Sequence, residues 1–225
     1  MSSEVLSLGR RLTSEALGTM LLLATVVGSG IMGESLAAGN VAIALLANAI
    51  ATGCALVALI TTFGPVSGAH FNPIVSVLGG VQRELGARDV VLYVATQVVA
   101  AFAGVGVAHL MFQKPLFSAS EHVRSSGSEI FSEGVATFGL VAVILGTVRR
   151  KPDAVPYVVG AYITAAYWFT HSTSFANPAV TLARAATNTF AGIRLNDVPA
   201  FVGAQLVGAA CAWFLMNWLV PARKA

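Results

Sequence analysis

The sequence predicts an all-α membrane protein in which six membrane-spanning helices and two half-length helices form an inverted repeat of three spans plus three. Two observations predict this fold. Of the 225 residues, 56% are hydrophobic and only 10% are charged, whereas a soluble domain usually has about 25% charged residues. An Asn-Pro motif also occurs at corresponding places in the two halves of the chain. The cysteines, Cys54 and Cys211, lie in apolar stretches, and we expect them to be buried without a disulfide or a zinc site. The composition excludes an ordinary soluble enzyme and a nucleic-acid-binding protein, despite a formal net charge of +3.

Six stretches of the chain are apolar enough to cross a bilayer as helices, which requires roughly 20 residues each. The loops between them leave no room for a separate soluble domain. Arg10 and Arg11 before the first stretch could indicate a signal peptide. Glu15 near its start, together with a matching segment later in the chain, favours a retained helix. The spans are expected at about 13–33, 41–62, 89–112, 129–149, 155–172 and 198–220.

The basic residues predict how the spans are oriented, because Lys and Arg are enriched in cytoplasmic loops. With a cytoplasmic N-terminus, nine of the 13 basic residues lie inside and four (13 − 9) lie outside. An even number of spans then places both termini in the cytoplasm. The inner residues are Arg10, Arg11, Arg83, Arg88, Arg149, Arg150, Lys151, Arg223 and Lys224, and the outer ones are Lys114, Arg124, Arg184 and Arg194.

The two halves of the chain, about 1–112 and 127–225, are predicted to be internal repeats within a single domain. Their Asn-Pro motifs are 105 positions apart (177 − 72), and Glu15 in the first span corresponds to Glu133 in the fourth. Because each half has an odd number of spans, the second half must be inverted in the membrane. Inverted repeats of this kind place a solute path at their interface, near the midplane. The motifs are Asn72-Pro73-Ile74 and Asn177-Pro178-Ala179.

Each Asn-Pro motif predicts the start of a half-length helix. Asparagine is a good N-cap, and proline fits the first helical position. About ten helical residues reach roughly halfway across the hydrocarbon core. By inversion, the two N-termini point at each other and carry partial positive charge. The amide groups of Asn72 and Asn177 would then bind a neutral oxygen-bearing solute, while cations would be repelled. A single Asn-Pro could be a mere turn, but the duplication favours the half-helices.

The chain resembles the aquaporin, or major intrinsic protein, family over essentially its whole length. The resemblance implies a right-handed bundle of six helices and two half-helices, with one pore per subunit. It implies a homotetramer in the lipid bilayer of the bacterial inner membrane. It also implies passive diffusion of water or small uncharged solutes without a cofactor. The residues that carry it are Glu15 with Thr19, the run Ser67-Gly68-Ala69-His70-Phe71-Asn72-Pro73, Gln97, Glu133 with Thr137, and Phe175-Ala176-Asn177-Pro178-Ala179.

The resemblance further implies a selectivity filter near the outer end of the pore. The family usually has Arg directly after the second Asn-Pro-Ala, and this chain has Val180 there. The other filter positions are predicted at Thr52, Ala165 and Ser174, and a gap of one or two residues would move the middle one to Tyr167. A small-sided, uncharged filter favours glycerol, urea or metalloid hydroxides such as arsenous acid. The alternative is that Val180 is a conservative lining residue of the pore and leaves the selectivity for water unchanged.

Three further features bear on the solute. Ile74 replaces the Ala usual in the family, and its bulk is expected to repack the junction of the half-helices or to narrow the pore. The stretch 161–180 resembles a bacterial subgroup associated with arsenic-resistance genes. Arg184 follows Val180 by one helical turn, so it could reach back and replace the missing charge. It could also cap the half-helix or lie in the vestibule wall.

Four other ionisable residues are candidates for structural or functional roles. Glu15 and Glu133 are expected to accept hydrogen bonds from the loops before the half-helices, with a proton relay as the alternative. We expect His70 to bond the loop backbone beneath the pore rather than to act as a gate. His171 could face the outer vestibule and sense pH there.

An ion-coupled secondary transporter is the alternative function, because such proteins also have inverted repeats and broken helices. It would need groups in the solute path that change charge during transport. The carboxylates within the spans are the corresponding pair Glu15 and Glu133. An enzyme is disfavoured, since no nucleophile–base pair and no set of metal ligands is visible.

Overall fold

The computed structural model describes residues 6–221, which form eight α-helices and no strand. Each half of the chain contributes four helices, and the third helix of each half is short. Two of the predicted cytoplasmic basic residues, Arg223 and Lys224, lie outside the described residues. The helices are α1 (Leu8–Leu36), α2 (Val41–Ser67), α3 (Pro73–Val81), α4 (Ala87–Met111), α5 (Gly127–Arg150), α6 (Val155–Phe169), α7 (Pro178–Arg184) and α8 (Val198–Leu219).

Five helices, α1, α2, α4, α5 and α8, are long and apolar enough to cross a membrane, which confirms five of the six predicted spans. The exception is α6, whose 15 residues span about 22 Å. A 3₁₀ turn over Pro152–Ala154 precedes it and adds about 6 Å. The predicted end at residue 172 is wrong, because Thr170 already has extended backbone angles. The chain must leave the helix there to reach the second Asn-Pro motif.

The packing of the first half recurs in the second. α1 packs against α2 and α4, and the corresponding helix α5 packs against α6 and α8. The short helix of each half lies against the last long helix of that half, as α3 on α4 and α7 on α8. The halves meet where α2 contacts α6 and where α7 contacts α4 and α3. The protein therefore has the inverted 3+3 arrangement predicted from the sequence.

Two glycines allow the closest helix crossings. A Cβ at Gly104 on α4 would overlap the Met20 carbonyl oxygen on α1, and a Cβ at Gly208 on α8 would overlap the Gly134 carbonyl oxygen on α5. Small residues let backbones approach closely where lipid supplies no hydrophobic driving force between helices. These contacts lie between α1 and α4 in the first half and between the corresponding helices α5 and α8 in the second.

The prediction that the cysteines are buried is wrong, because Cys54 and Cys211 are both exposed on the outside of the bundle. A helix surrounded by lipid is apolar on its outer face as well as its inner one. The apolar neighbours of a cysteine therefore do not reveal which face it occupies.

Candidate pore and selectivity filter

The two Asn-Pro motifs form the N-terminal ends of α3 and α7. Asn72 caps α3, with Oδ1 accepting from the Ile74 N–H at 3.0 Å. Asn177 caps α7, with Oδ1 accepting from the N–H groups of Ala179 at 3.0 Å and Val180 at 3.3 Å. Pro73 and Pro178 occupy the first helical positions, where no N–H donor is needed. Local sequence chemistry therefore explains why both helices begin inside the bundle.

The two helix ends are locked to each other by reciprocal hydrogen bonds. Nδ2 of Asn72 donates to the Ala176 carbonyl oxygen at 2.8 Å, and Nδ2 of Asn177 donates to the Phe71 carbonyl oxygen at 2.8 Å. A side-chain amide has two N–H donors, so one remains on each asparagine. Both asparagines line the central cavity, where that second donor is available to a solute.

Strained backbone precedes each half-helix. Ala69 and Phe71 in the first loop, and Ser174 and Ala176 in the second, all have φ between 47° and 49°. This left-handed region costs a non-glycine residue about 1–3 kcal/mol unless the surroundings hold it. The same conformation at corresponding places in both loops requires strong local hydrogen bonding.

Glu15 supplies that hydrogen bonding for the first loop. Its Oε1 accepts from the His70 N–H at 2.9 Å, and its Oε2 accepts from the Phe71 N–H at 2.8 Å. Ser67 Oγ and Gln97 Nε2 donate to the same carboxylate at 2.7 and 2.8 Å. Glu15 is fully buried and does not line the cavity. The carboxylate holds the loop, and this placement gives no support to a proton relay.

Glu133 has the corresponding place in the second half. Its Oε1 accepts from the Phe175 N–H at 2.8 Å, and its Oε2 accepts from the Ala176 N–H at 2.9 Å. Gln205 Nε2 donates to the same carboxylate at 2.6 Å, as Gln97 does in the first half. Glu133 is likewise fully buried and absent from the cavity wall. The two carboxylates are therefore equivalent clamps on the two strained loops.

One cavity of about 280 Å³ runs past the two asparagines. Its lining includes Gln82 and Glu84, just beyond the C-terminal end of α3, and Arg184 at the C-terminal end of α7. Because the N-terminal ends of α3 and α7 meet, these residues lie at opposite ends of the molecule. The cavity therefore extends from one end of the bundle toward the other, past Asn72 and Asn177.

The cavity has an apolar wall and a polar part. The polar part consists of residues of the two loops, 68–71 and 174–176, the two capping asparagines, and the side chains of Thr52, Gln82, Glu84, Tyr167 and Arg184. The apolar wall offers no hydrogen bonds, so a solute must use those of the polar part. The apolar wall includes Leu22, Val26, Leu56, Leu140, Val159 and Ile163.

Three of the predicted filter residues, Thr52, Ser174 and Val180, line the cavity and are at most 5% exposed. The prediction of Ala165 is wrong, because its side chain is exposed on the outside of the bundle. Tyr167, the position that a gap was expected to select, lines the cavity instead, with Oη 3.4 Å from Thr52 Oγ1. Two residues along a helix correspond to a rotation of about 200°, which turns position 165 away when 167 faces inward.

Arg184 lines the same cavity as Val180 and is only 2% exposed. Its Nε donates to the Ala191 carbonyl oxygen. Its Cζ lies 3.4 Å from the centre of the Phe175 ring, an aromatic–cation contact. The filter region is therefore not free of charge, contrary to the expectation from Val180 alone.

Arg124 lies on the same aromatic ring, and nothing in the sequence indicates this. Its Cζ is 5.1 Å from the Phe175 centroid. Its Nε donates to the Gly192 carbonyl oxygen at 2.9 Å. The loop that carries Arg124 reaches the site only through the tertiary structure, whereas Phe175 belongs to the motif before the half-helix.

The remaining predicted residues lie elsewhere. His171 is exposed, has Nδ1 3.0 Å from Ser128 Oγ, and does not line the cavity. His70 does line it, but its ring bonds Ser76 Oγ at 3.1 Å rather than the loop backbone that was expected. Ile74 packs among buried side chains of α3, α5 and α8, away from the cavity wall, so its bulk does not narrow the cavity.

Glu84 at one end of the cavity and His122 on the loop that carries Arg124 have shifted pKa values. Burial raises the pKa of the Glu84 carboxyl, although the positive charge of Arg149 opposes this. On the loop that carries Arg124, partial burial and then the positive charge of Arg124 lower the pKa of the His122 imidazole. Each shift favours the uncharged form of its group.

Two half-helices that meet end to end beside a cavity, within a bundle of inverted repeats, define a membrane channel of the aquaporin fold. The chain belongs to the major intrinsic protein family: the family model described as "MIP: Major intrinsic protein" matches residues 2–167. Members of this family are multi-pass membrane channels for water and small neutral solutes, so the protein is a channel and not an enzyme.

The comparisons with individual proteins agree with this assignment. The chain is 58% identical to "Aquaglyceroporin AqpS" of Rhizobium meliloti (strain 1021), over 96% of this chain and 93% of that protein. It is 29% identical to "Aquaporin A" of Dictyostelium discoideum, over 93% of this chain and 78% of that protein. The X-ray structure of the aquaglyceroporin from Plasmodium falciparum is 19% identical, with a TM-score of 0.75, and covers 95% of this chain and 97% of that one. That likeness shows the fold, and none of these comparisons supports an ion-coupled transporter.

Proposed function

We propose that the protein is a passive channel for water and for small uncharged solutes larger than water, such as glycerol, urea and arsenous acid. The observation that carries this proposal is the cavity that runs from Glu84 to Arg184 past the paired asparagines. The 58% identity to a protein named as an aquaglyceroporin supports solutes beyond water. The resemblance of residues 161–180 to an arsenic-resistance subgroup supports a metalloid hydroxide among them.

The chemistry of the wall explains how such solutes would pass. A solute that leaves water finds hydrogen-bond partners along the two loops and at the free N–H of Asn72 and Asn177. The carbon skeleton of a polyol lies against the apolar wall without penalty. The N-termini of α3 and α7 each carry about half a positive charge toward the midplane, which opposes cations. No step requires a cofactor or a change of charge.

Val180 is proposed to set the width of the filter. Its buried side chain occupies the part of the wall where the family usually has the longer and charged Arg. Thr52, Tyr167 and Ser174 complete the ring with hydroxyl groups. A filter of this composition is expected to admit a glycerol-sized molecule and to offer it hydroxyl contacts.

Stopped-flow light scattering on proteoliposomes tests this proposal with water, glycerol, urea and arsenous acid. We expect Val180→Arg to reduce the flux of the three larger solutes more strongly than that of water. Val180→Leu is the matched control, because it adds bulk without charge. An equal effect of Val180→Arg on all four fluxes would contradict the role of Val180 as the size filter. A flux that saturates, or that an uncoupler abolishes, would favour a transporter instead.

The proposal includes a homotetramer in the bacterial inner membrane, with both termini cytoplasmic and with each single-domain subunit enclosing its own pore. Large apolar side chains exposed on the outside of the bundle support burial in lipid or against other subunits, for example Val99, Phe131 and Trp218, which are 71%, 73% and 78% exposed. Native mass spectrometry measures the assembly. Accessibility of terminal tags in right-side-out vesicles measures the orientation.

A further inference from the structure

We infer that Arg184 is a specificity-determining residue of the filter: it supplies, from one helical turn beyond Val180, the positive charge that excludes cations and a hydrogen-bond donor for the solute. This inference rests on the proposed channel function and deepens it. It assigns to Arg184 a task that Val180 cannot perform.

The direction of the side chain is the first step. Residues four apart lie on the same face of a helix, and helical side chains lean toward the N-terminus. Arg184 therefore leans toward Val180 and the cavity, where both side chains are found. The bond from Nε to the Ala191 carbonyl oxygen and the contact of Cζ with the Phe175 ring fix the guanidinium in this position. The small Val180 side chain leaves room that a longer residue would occupy.

The charge of Arg184 is not balanced by a carboxylate. Within residues 6–221 the ion pairs are Arg11–Asp89 and Arg194–Asp197. The buried carboxylate of Glu133, on α5, already accepts two backbone N–H groups of the loop and the Gln205 amide. Charges act more strongly in buried surroundings than in water. A cation that enters the filter therefore meets an uncompensated positive group.

Two polar atoms at the filter have no partner within the protein. Nη1 of Arg184 and Oγ of Ser174 are both buried without a hydrogen bond in the described part of the chain. Buried polar groups are otherwise almost always paired. Both residues line the cavity, so water or an oxygen-bearing solute in transit would complete their hydrogen bonds. The ligand class of this site is thus a neutral molecule that accepts hydrogen bonds, in contrast to protons and ammonium-like cations.

The decisive experiment measures proton and methylammonium leak together with water and glycerol flux in the same proteoliposomes. We expect Arg184→Gln to raise the cation leak by about tenfold, because one buried charge is removed. Lys114→Gln is the matched control, since it removes an exposed positive charge at the same end of the bundle. The double variant Val180→Arg with Arg184→Gln should restore low leak, because it returns a guanidinium to the filter.

The results separate a filter role from a structural one. Restoration of a low cation leak by Val180→Arg would support the inference. The guanidinium introduced by that substitution is not expected to replace the structural bond from Arg184 to the Ala191 carbonyl oxygen. A folded Arg184→Gln channel with the leak of the wild type would overturn it, as would a double variant that leaks like the single one. If Arg184→Gln does not fold, Phe175→Leu releases the guanidinium from its ring, and we expect a raised leak; an unchanged leak would count against the inference. A wild-type protein without water or glycerol flux would instead refute the proposed function.

Discussion

Asn72 and Asn177 hold each other's half-helices in place: each caps its own helix through Oδ1 and donates Nδ2 to the loop that precedes the other helix, at 2.8 Å in both directions. A capping bond of this kind is normally a local feature. Here it also joins the two halves of the chain at the centre of the bundle. The pore and the fold therefore depend on the same two side chains.

Replacement of one of these asparagines should destabilise the protein more than the loss of an ordinary cap. Asn177→Ala removes the acceptor for two N–H groups and leaves the Phe71 carbonyl unpaired. We expect a loss of about 2–4 kcal/mol of unfolding free energy, together with lower water flux. Thermal denaturation in detergent measures the first effect, and stopped-flow measures the second. Asn40→Ala, at the exposed N-cap of α2, is the control and should cost only about 1 kcal/mol.

Glu133 should be intolerant of even a conservative substitution. Glu133→Gln replaces one acceptor oxygen by an NH₂ group that must face an N–H donor of Phe175 or Ala176. We expect a loss of about 3 kcal/mol or more, because a buried hydrogen-bonding network loses a charged acceptor. The comparison is Glu129→Gln on the same helix, where the carboxylate forms an exposed capping box. Equal midpoint shifts for the two variants would argue against the clamp.

The glycine at the α1–α4 crossing should not accept a methyl group. Gly104→Ala places a Cβ against the Met20 carbonyl oxygen, so the two helices must separate, at a cost of about 1–3 kcal/mol. Gly203→Ala on α8 meets nothing within 4 Å and should instead stabilise the helix by about 0.5–1 kcal/mol. Opposite shifts of the melting temperature would establish the difference, and shifts of the same sign would not fit the crossing geometry.

Glu84 should give the stability a small dependence on pH. Burial raises the pKa of its carboxyl in the folded protein, while Arg149 opposes the shift. A raised pKa means that folding favours the protonated form, so the stabilising contribution is complete below the pKa of the unfolded chain and is lost as the pH rises through the folded value. We therefore expect the wild type to gain stability relative to Glu84→Gln on acidification, by no more than about 0.5 kcal/mol at this solvent-accessible mouth. Melting curves recorded at pH values below the unfolded pKa of the Glu84 carboxyl and above its folded pKa measure the difference.

The fold and the centre of the pore were predictable because their determinants are local. An asparagine followed by a proline starts a helix wherever it stands, and the repetition of the motif in odd-numbered halves requires inversion. Glu15 and Glu133 were likewise recognisable, since a carboxylate at corresponding places in two spans must find partners inside the protein. Each of these inferences needs only a few neighbouring residues.

The sequence by itself determined the spans, the repeat and the capped half-helices of this protein. Only the tertiary structure decided that Tyr167 rather than Ala165 faces the cavity, that Ile74 packs away from it, and that Arg184 turns inward over Phe175. The physical reason is that a helix in lipid is apolar all round, so its hydrophobic pattern does not reveal its rotation. The rotation of each helix, and the side chains it brings together, are set by contacts between segments that are distant in the chain.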